Sequence, residues 1–170
     1  MSRGVVLWPD VETSAAIREF WGALVDAGLP SCATHTHRLH QPHVSLSVAD
    51  ELPVQATLDA VGTVPRQRIP LPLESIGLFP EGVLILPLVP SQELLLEKRR
   101  VHELVEPLGI GTWPFFAEGG WMPHVTCGWG LSENQFARAA ALAKKWLPIR
   151  GWLDHGGVED GTTGENWPVP

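Results

Sequence analysis

The sequence has no tyrosine, two cysteines and two methionines among its 170 residues. Without a phenol, a proton carrier working near neutral pH has to be a histidine, and there are 7. Cys32 and Cys127 lie in different halves of the chain and form no C-x-x-C pair, so the cysteines make no disulfide framework. Basic residues are also scarce. Twelve Lys and Arg stand against 19 Asp and Glu, giving a net charge of −7. That balance argues against tight non-specific binding to long nucleic acid, which needs a basic surface. It leaves room for a small nucleotide or an RNA end in a local pocket. No apolar run approaches the ~18 residues of a membrane span. The N-terminus runs into a short apolar stretch broken at Pro9-Asp10, unlike a signal peptide. The expected location is the cytoplasm, without a membrane partner.

What is present is a 44% hydrophobic chain with 8 Trp and 5 Phe. That is enough for one ordinary domain with its own core. Two tetrapeptides stand out, Pro42-His43-Val44-Ser45 and Pro123-His124-Val125-Thr126, one in each half. In a strand, residues two apart share a face. Each motif would therefore present one imidazole beside one hydroxyl. By the same alternation Ser47 is expected on that face, with Val44, Leu46 and Val48 on the other.

The spacing around the motifs predicts alternating strands and helices. Gly4–Trp8 reads as a buried strand, followed by a helix capped by Asp10 with Ile17, Phe20, Trp21, Leu24 and Val25 on its apolar side. Residues 31–42 read as a strand or extended arm. A second helix is expected from Asp50 or Glu51 to Gly62. Residues 67–79 are extended, with Pro70 and Pro72 placing their start at a sheet edge. Pro80-Glu81-Gly82 reads as a hairpin turn into the strand Val83–Leu86. Ser91 caps a third helix, on which Lys98, Arg99 and Arg100 are expected in solvent. Residues 109–121 read as an aromatic loop. Ser132 and Gln135 form a capping box ahead of a fourth helix. A last strand covers Ile149–Leu153, and residues 156–170 read as a loop. The sum is an α/β (α+β) chain with mostly antiparallel sheets.

These features resemble the 2H phosphoesterases, the superfamily of 2′-5′ RNA ligase-like proteins and 2′,3′-cyclic phosphodiesterases. A single His-x-Ser/Thr is an ordinary strand histidine. Two of them, each preceded by proline and followed by a helix, in this order and at this chain length, carry the resemblance. It implies a single bilobal, pseudo-two-fold domain over residues 1–170, with helices flanking the sheets and a central cleft. It also implies His43 and His124 as the catalytic acid/base pair, and Ser45 and Thr126 as phosphate ligands. The expected reaction is metal-independent hydrolysis of a 2′,3′-cyclic phosphate, with 2′-5′ RNA ligation or a non-catalytic nucleotide-binding module as alternatives. No cofactor and no metal are expected, and the expected state is a monomer. Where many members continue the second motif with Leu-Ala-Arg, this chain has Cys127-Gly128-Trp129, so that basic contact is either missing or supplied from elsewhere.

Trp8, Trp113, Phe115, Trp121 and Trp129 are candidates for base stacking or cleft walls, since an aromatic face accepts any base. The run His35, His37, His40, His43 has the look of a metal cluster but lacks an accompanying carboxylate or second ligand group. Partly exposed histidines near the cleft are the reading adopted.

Overall fold

The computed structural model describes residues 2–117 and 119–169. Its larger sheet is built around β1 (Arg3–Pro9), whose Val5, Val6, Leu7 and Trp8 are all buried. A strand apolar on both faces belongs inside a sheet. β1 accordingly lies between β2 (Val44–Glu51) and β8 (Ile149–Asp160). The order is β3 (Ile69–Leu73), β8, β1, β2, β6 (Ile110–Thr112), with β9 (Asn166–Pro168) paired to the end of β8. Every pairing is antiparallel. Pro70 and Pro72 sit on β3, at the sheet's outer edge, where a missing N–H costs no ladder bond.

The smaller sheet is β4 (Gly77–Phe79), β5 (Val83–Pro87) and β7 (His124–Gly128), again antiparallel. The β4–β5 hairpin turns at Glu81 and Gly82, with φ of 64° and 75°. A Cβ on Gly82 would lie 2.4 Å from the Leu131 carbonyl oxygen, so the turn needs glycine there.

Helix α1 (Val11–Asp26) starts where the Asp10 carboxylate accepts the Thr13 N–H at 2.9 Å. It buries Ile17, Phe20, Trp21 and Leu24, while Val25 falls off the stripe. Helix α2 is Val54–Val61. Helix α3 (Gln92–Val105) is capped by Ser91, and α4 (Glu133–Ala143) opens with the Ser132–Gln135 capping box. One apolar cluster joins both sheets and includes Leu7, Phe20, Leu46, Leu84, Val125 and Leu153.

Several expectations are corrected. β2 runs on to Glu51, and α2 begins only at Val54, behind Pro53. Residues 31–42 form turns, not a strand, with Thr36 and Arg38 at φ of 41° and 61°. The aromatic stretch 109–121 contributes the edge strand β6. The C-terminal residues are not a loop: β8 continues to Asp160 and pairs along nearly all of β1, and β9 follows.

Lys98 is buried, and its ammonium donates to the Phe116 carbonyl, tying the aromatic loop to α3. Arg100 donates to the Val61 and Thr63 carbonyls at 2.9 and 3.1 Å, closing the C-terminus of α2, and pairs with Glu97. Of the three basic residues expected in solvent, only Arg99 lies there.

Ser47 is buried as well and bonds the His102 ring at 3.3 Å. The cause is a bulge. Val5 pairs with Ser47 and Val6 with Ser45, so Leu46 is an extra residue and the alternation inverts beyond it.

Candidate active site

Both motifs sit where a strand begins. His43 immediately precedes β2, and His124 opens β7. Burial alternates identically in the two: His43 and Ser45 are half-buried while Val44 and Leu46 are buried, and His124 and Thr126 are half-buried while Val125 and Cys127 are buried. The apolar pair anchors each strand to the core, which leaves each imidazole and hydroxyl on the open face.

The strands approach in opposite senses. Ahead of β7, the Trp121 indole donates to the Ser45 carbonyl at 3.0 Å. At the other end of β7, the Cys127 carbonyl accepts the Cys32 N–H at 2.7 Å. His40, three residues ahead of His43, packs on Trp129, with ring centroids 5.2 Å apart. The start of one motif thus faces the end of the other, the relation a pseudo-two-fold axis imposes.

The imidazoles are held in the same way. His43 Nδ1 lies 2.9 Å from the Gln41 carbonyl oxygen, and His124 Nδ1 lies 2.7 Å from that of Met122. A carbonyl can only accept, so Nδ1 carries the hydrogen in both rings. When neutral, each ring therefore has a lone pair on Nε2, the atom free to reach a substrate. Among the described residues the Ser45 and Thr126 hydroxyls take no intramolecular hydrogen bond, which leaves them able to donate to a ligand.

The surroundings of the two rings differ. Burial, with a smaller contribution from the charge of His43, holds His124 below the usual imidazole range, against the Met122 carbonyl bond, which raises it. Phe79, at the end of β4, stands edge-on to His124 at 4.8 Å between centroids. His43 instead meets a carboxylate: Glu159 Oε2 is 3.3 Å from its Nδ1. The same oxygen is 3.4 Å from the Trp8 indole N–H.

Neither Phe79 nor Glu159 belongs to any sequence motif. Phe79 is one apolar residue in a hairpin. Glu159 lies in a stretch whose glycines and polar residues conceal a strand.

The aromatic candidates separate into two groups. Trp8 and Trp121 are at the site, Trp8 buried beneath Glu159 and His155, and Trp121 half-buried against β2. Trp129 flanks the His43 side, but His35 covers its face at 4.3 Å. Trp113 bonds Asp50 at 2.9 Å near the far end of β2, roughly 20 Å along the strand from His43. Phe115 is 71% exposed in the same loop.

His35, His37 and His40 form a stack, not a ligand shell. His35 and His37 lie 5.6 and 4.2 Å from the His40 ring, and the stack rests on Trp129. Among the described residues no group of three or more His, Cys, Asp or Glu side chains is arranged to hold a metal ion. Burial, followed by the charges of His37, His35 and His43, pushes His40 down to about 4. Burial also lowers His35, His102 and His124.

The unfolded chain takes up protons at these rings near pH 6.5, whereas the folded chain does so only at lower pH. Their contribution to stability is therefore complete above about pH 6.5 and is lost as pH falls toward 4. The urea midpoint is expected to drop between pH 7 and pH 5, where most carboxylates are still ionised, and His40→Gln is expected to flatten that drop. A midpoint constant over this range would contradict the packing of the stack.

The two thiols are buried, and burial pushes Cys127 up to about 12 and raises Cys32 further. They are packing groups, not nucleophiles. No helix among the described residues is long and apolar enough to cross a membrane.

Comparison with known proteins agrees with this fold. No curated protein sequence matches significantly. Solved structures do. A crystal structure described as a phosphoesterase aligns at 15% identity and a TM-score of 0.62, covering 99% of this chain and 93% of the other. Apo E. coli LigT aligns at 15% identity and 0.65, covering 99% and 94%. E. coli LigT complexed with phosphate aligns at 13% and 0.59, covering 99% and 93%. At such identities the structures establish the fold. The family comes from the sequence match: residues 9–159 fit the model of the 2′-5′ RNA ligase superfamily, and the chain belongs to that superfamily, the 2H phosphoesterases.

Proposed function

We propose that the protein is a phosphodiesterase that opens 2′,3′-cyclic phosphates of nucleotides or short RNA ends to 2′-phosphates, using two histidines and no metal. The observation that carries this reading is the mirrored pair of Nδ1–carbonyl bonds, which leaves each Nε2 without a hydrogen-bond partner among the described residues, beside an unengaged hydroxyl two residues on. E. coli LigT, similar in fold, was crystallised with phosphate. A tetrahedral phosphate is the ligand such a set of donors would hold here.

The chemistry follows from what each group carries. Lowered by burial, His124 is neutral at pH 7, the form a general base needs. Its Nε2 takes a proton from water as the water oxygen attacks phosphorus. The P–O3′ bond breaks, and the 3′ oxygen receives a proton from Nε2 of protonated His43. The phosphate stays on O2′, and solvent resets both rings. Ser45 and Thr126 donate to the non-bridging oxygens, where charge builds in the transition state.

The family's description favours one second reading, chemistry at a 2′-5′ linkage in RNA, in which the same two rings exchange roles. The net charge of −7 favours the small substrate over a tRNA-sized one. A monomer acting in the cytoplasm is part of the proposal.

The test is a panel of 2′,3′-cyclic mononucleotides and a 2′-5′-linked dinucleotide, assayed in EDTA. Turnover of the cyclic compounds to 2′-monophosphates is expected. Activity on the dinucleotide alone, or only after metal is added, would refute the proposal.

A further inference from the structure

We infer that Glu159 is a positioning residue whose buried carboxylate, set beside His43, makes that ring the proton donor of the pair; this rests on the phosphodiesterase reading. The two motifs are otherwise mirror images. Each Nδ1–H points at the carbonyl two residues earlier, each ring precedes an inward valine, and each is followed by a hydroxyl. A symmetric site would leave either ring free to act as acid or as base. Among the described residues no carboxylate pairs with His124, whose ring meets the edge of Phe79.

The carboxylate is built in. Glu159 is 5% exposed and belongs to β8, one strand beyond β1. One oxygen, Oε2, accepts the Trp8 indole N–H at 3.4 Å and lies 3.3 Å from His43 Nδ1, whose hydrogen goes to the Gln41 carbonyl. A carboxylate removed from water needs such partners, and an imidazolium is the one that neutralises it. The carboxylate lies on the Nδ1 side of the ring, the side opposite Nε2. A fixed acid then faces a base kept neutral by burial.

The groups facing this pair are few. His40 from the preceding loop and His124 from β7 add positive charge near His43 when protonated. The Cys32 thiol and the Trp8 indole also lie beside Glu159.

Glu159→Gln keeps the shape and removes the charge. Two readouts follow. In a histidine NMR titration, the His43 midpoint should fall by about one pH unit in the variant, with His124 changing less. In the pH profile of kcat/KM, the alkaline limb should move down while the acid limb stays. Activity above the limb then falls about tenfold for each pH unit that the limb moves. Glu159→Asp should restore part of both.

Trp8→Phe removes the indole donor but leaves the charge, so His43 should titrate no lower than in the wild type. This variant keeps the test alive if Gln at 159 destabilises the fold. An unmoved His43 midpoint in Glu159→Gln, a movement of the acid limb instead, or a fall of the His43 midpoint in Trp8→Phe would overturn the inference. A wild-type protein inert toward cyclic phosphates, yet with His43 responding to Glu159→Gln, would sink the phosphodiesterase reading and leave the pairing standing.

Discussion

His124→Ala is expected to lower kcat/KM for a 2′,3′-cyclic nucleotide by about 10³-fold or more, with the fold intact. General acid–base catalysis by one positioned side chain contributes roughly 10²–10⁴-fold. The upper part of that range applies because the adjacent Cys127 thiol, buried and pushed up to about 12, cannot take over as base. The structural cost is small. His124 is half-buried, its backbone stays in β7, and the Met122 carbonyl bond and the Phe79 ring contact are lost. His43→Ala should lose a comparable factor. The double variant should be little worse than either single one, because paired acid and base act as a unit. Steady-state kinetics with circular dichroism as a control checks this. Independent, multiplying losses would argue that the rings do not serve one phosphate.

Thr126→Val should reduce kcat by about 10²-fold and change KM much less, and Ser45→Ala should do the same. Removing one preformed donor to a developing oxyanion costs roughly 10²–10³-fold in comparable sites. Valine matches threonine in shape, so the effect reports the hydroxyl and not packing. The Thr126 and Ser45 hydroxyls have no intramolecular partner among the described residues to be disturbed. Ser47→Ala is the internal comparison. Its hydroxyl bonds His102 away from the cleft, so it should alter stability slightly and leave kcat unchanged. Equal losses at Ser45 and Ser47 would contradict the bulge-inverted alternation on which the assignment rests.

The site is legible in the sequence because its parts are local. A histidine and a hydroxyl two residues apart on a strand share a face whatever surrounds them, and the flanking valines say which face is buried. The helix caps at Asp10, Ser91 and Ser132 are legible for the same reason, since each cap bonds a backbone N–H only three residues on.

What cannot be read depends on distant partners. Residues 154–160 carry a Gly-Gly pair and no clean alternation. They are a strand because β1 pairs with them along nearly its whole length. Ser47 breaks its pattern because β1 and β2 slip by one residue, a property of the pair and not of either strand. Lys98 is buried because the Phe116 carbonyl, far along the chain, needs a donor there. Glu159 joins His43 across two strands, and no local pattern encodes that. The aromatic loop reads as a cleft element through composition alone, yet Trp113 follows β6 to the Asp50 end of β2.

The most direct test of the central claim is a crystal structure of the protein with a bound nucleoside 2′-monophosphate. The phosphate is expected between His43 and His124, with both Nε2 atoms at hydrogen-bond distance, about 2.6–3.2 Å. The Ser45 and Thr126 hydroxyls should lie on its non-bridging oxygens. A phosphate held by only one of the two motifs, or bound elsewhere on the molecule, would contradict the account.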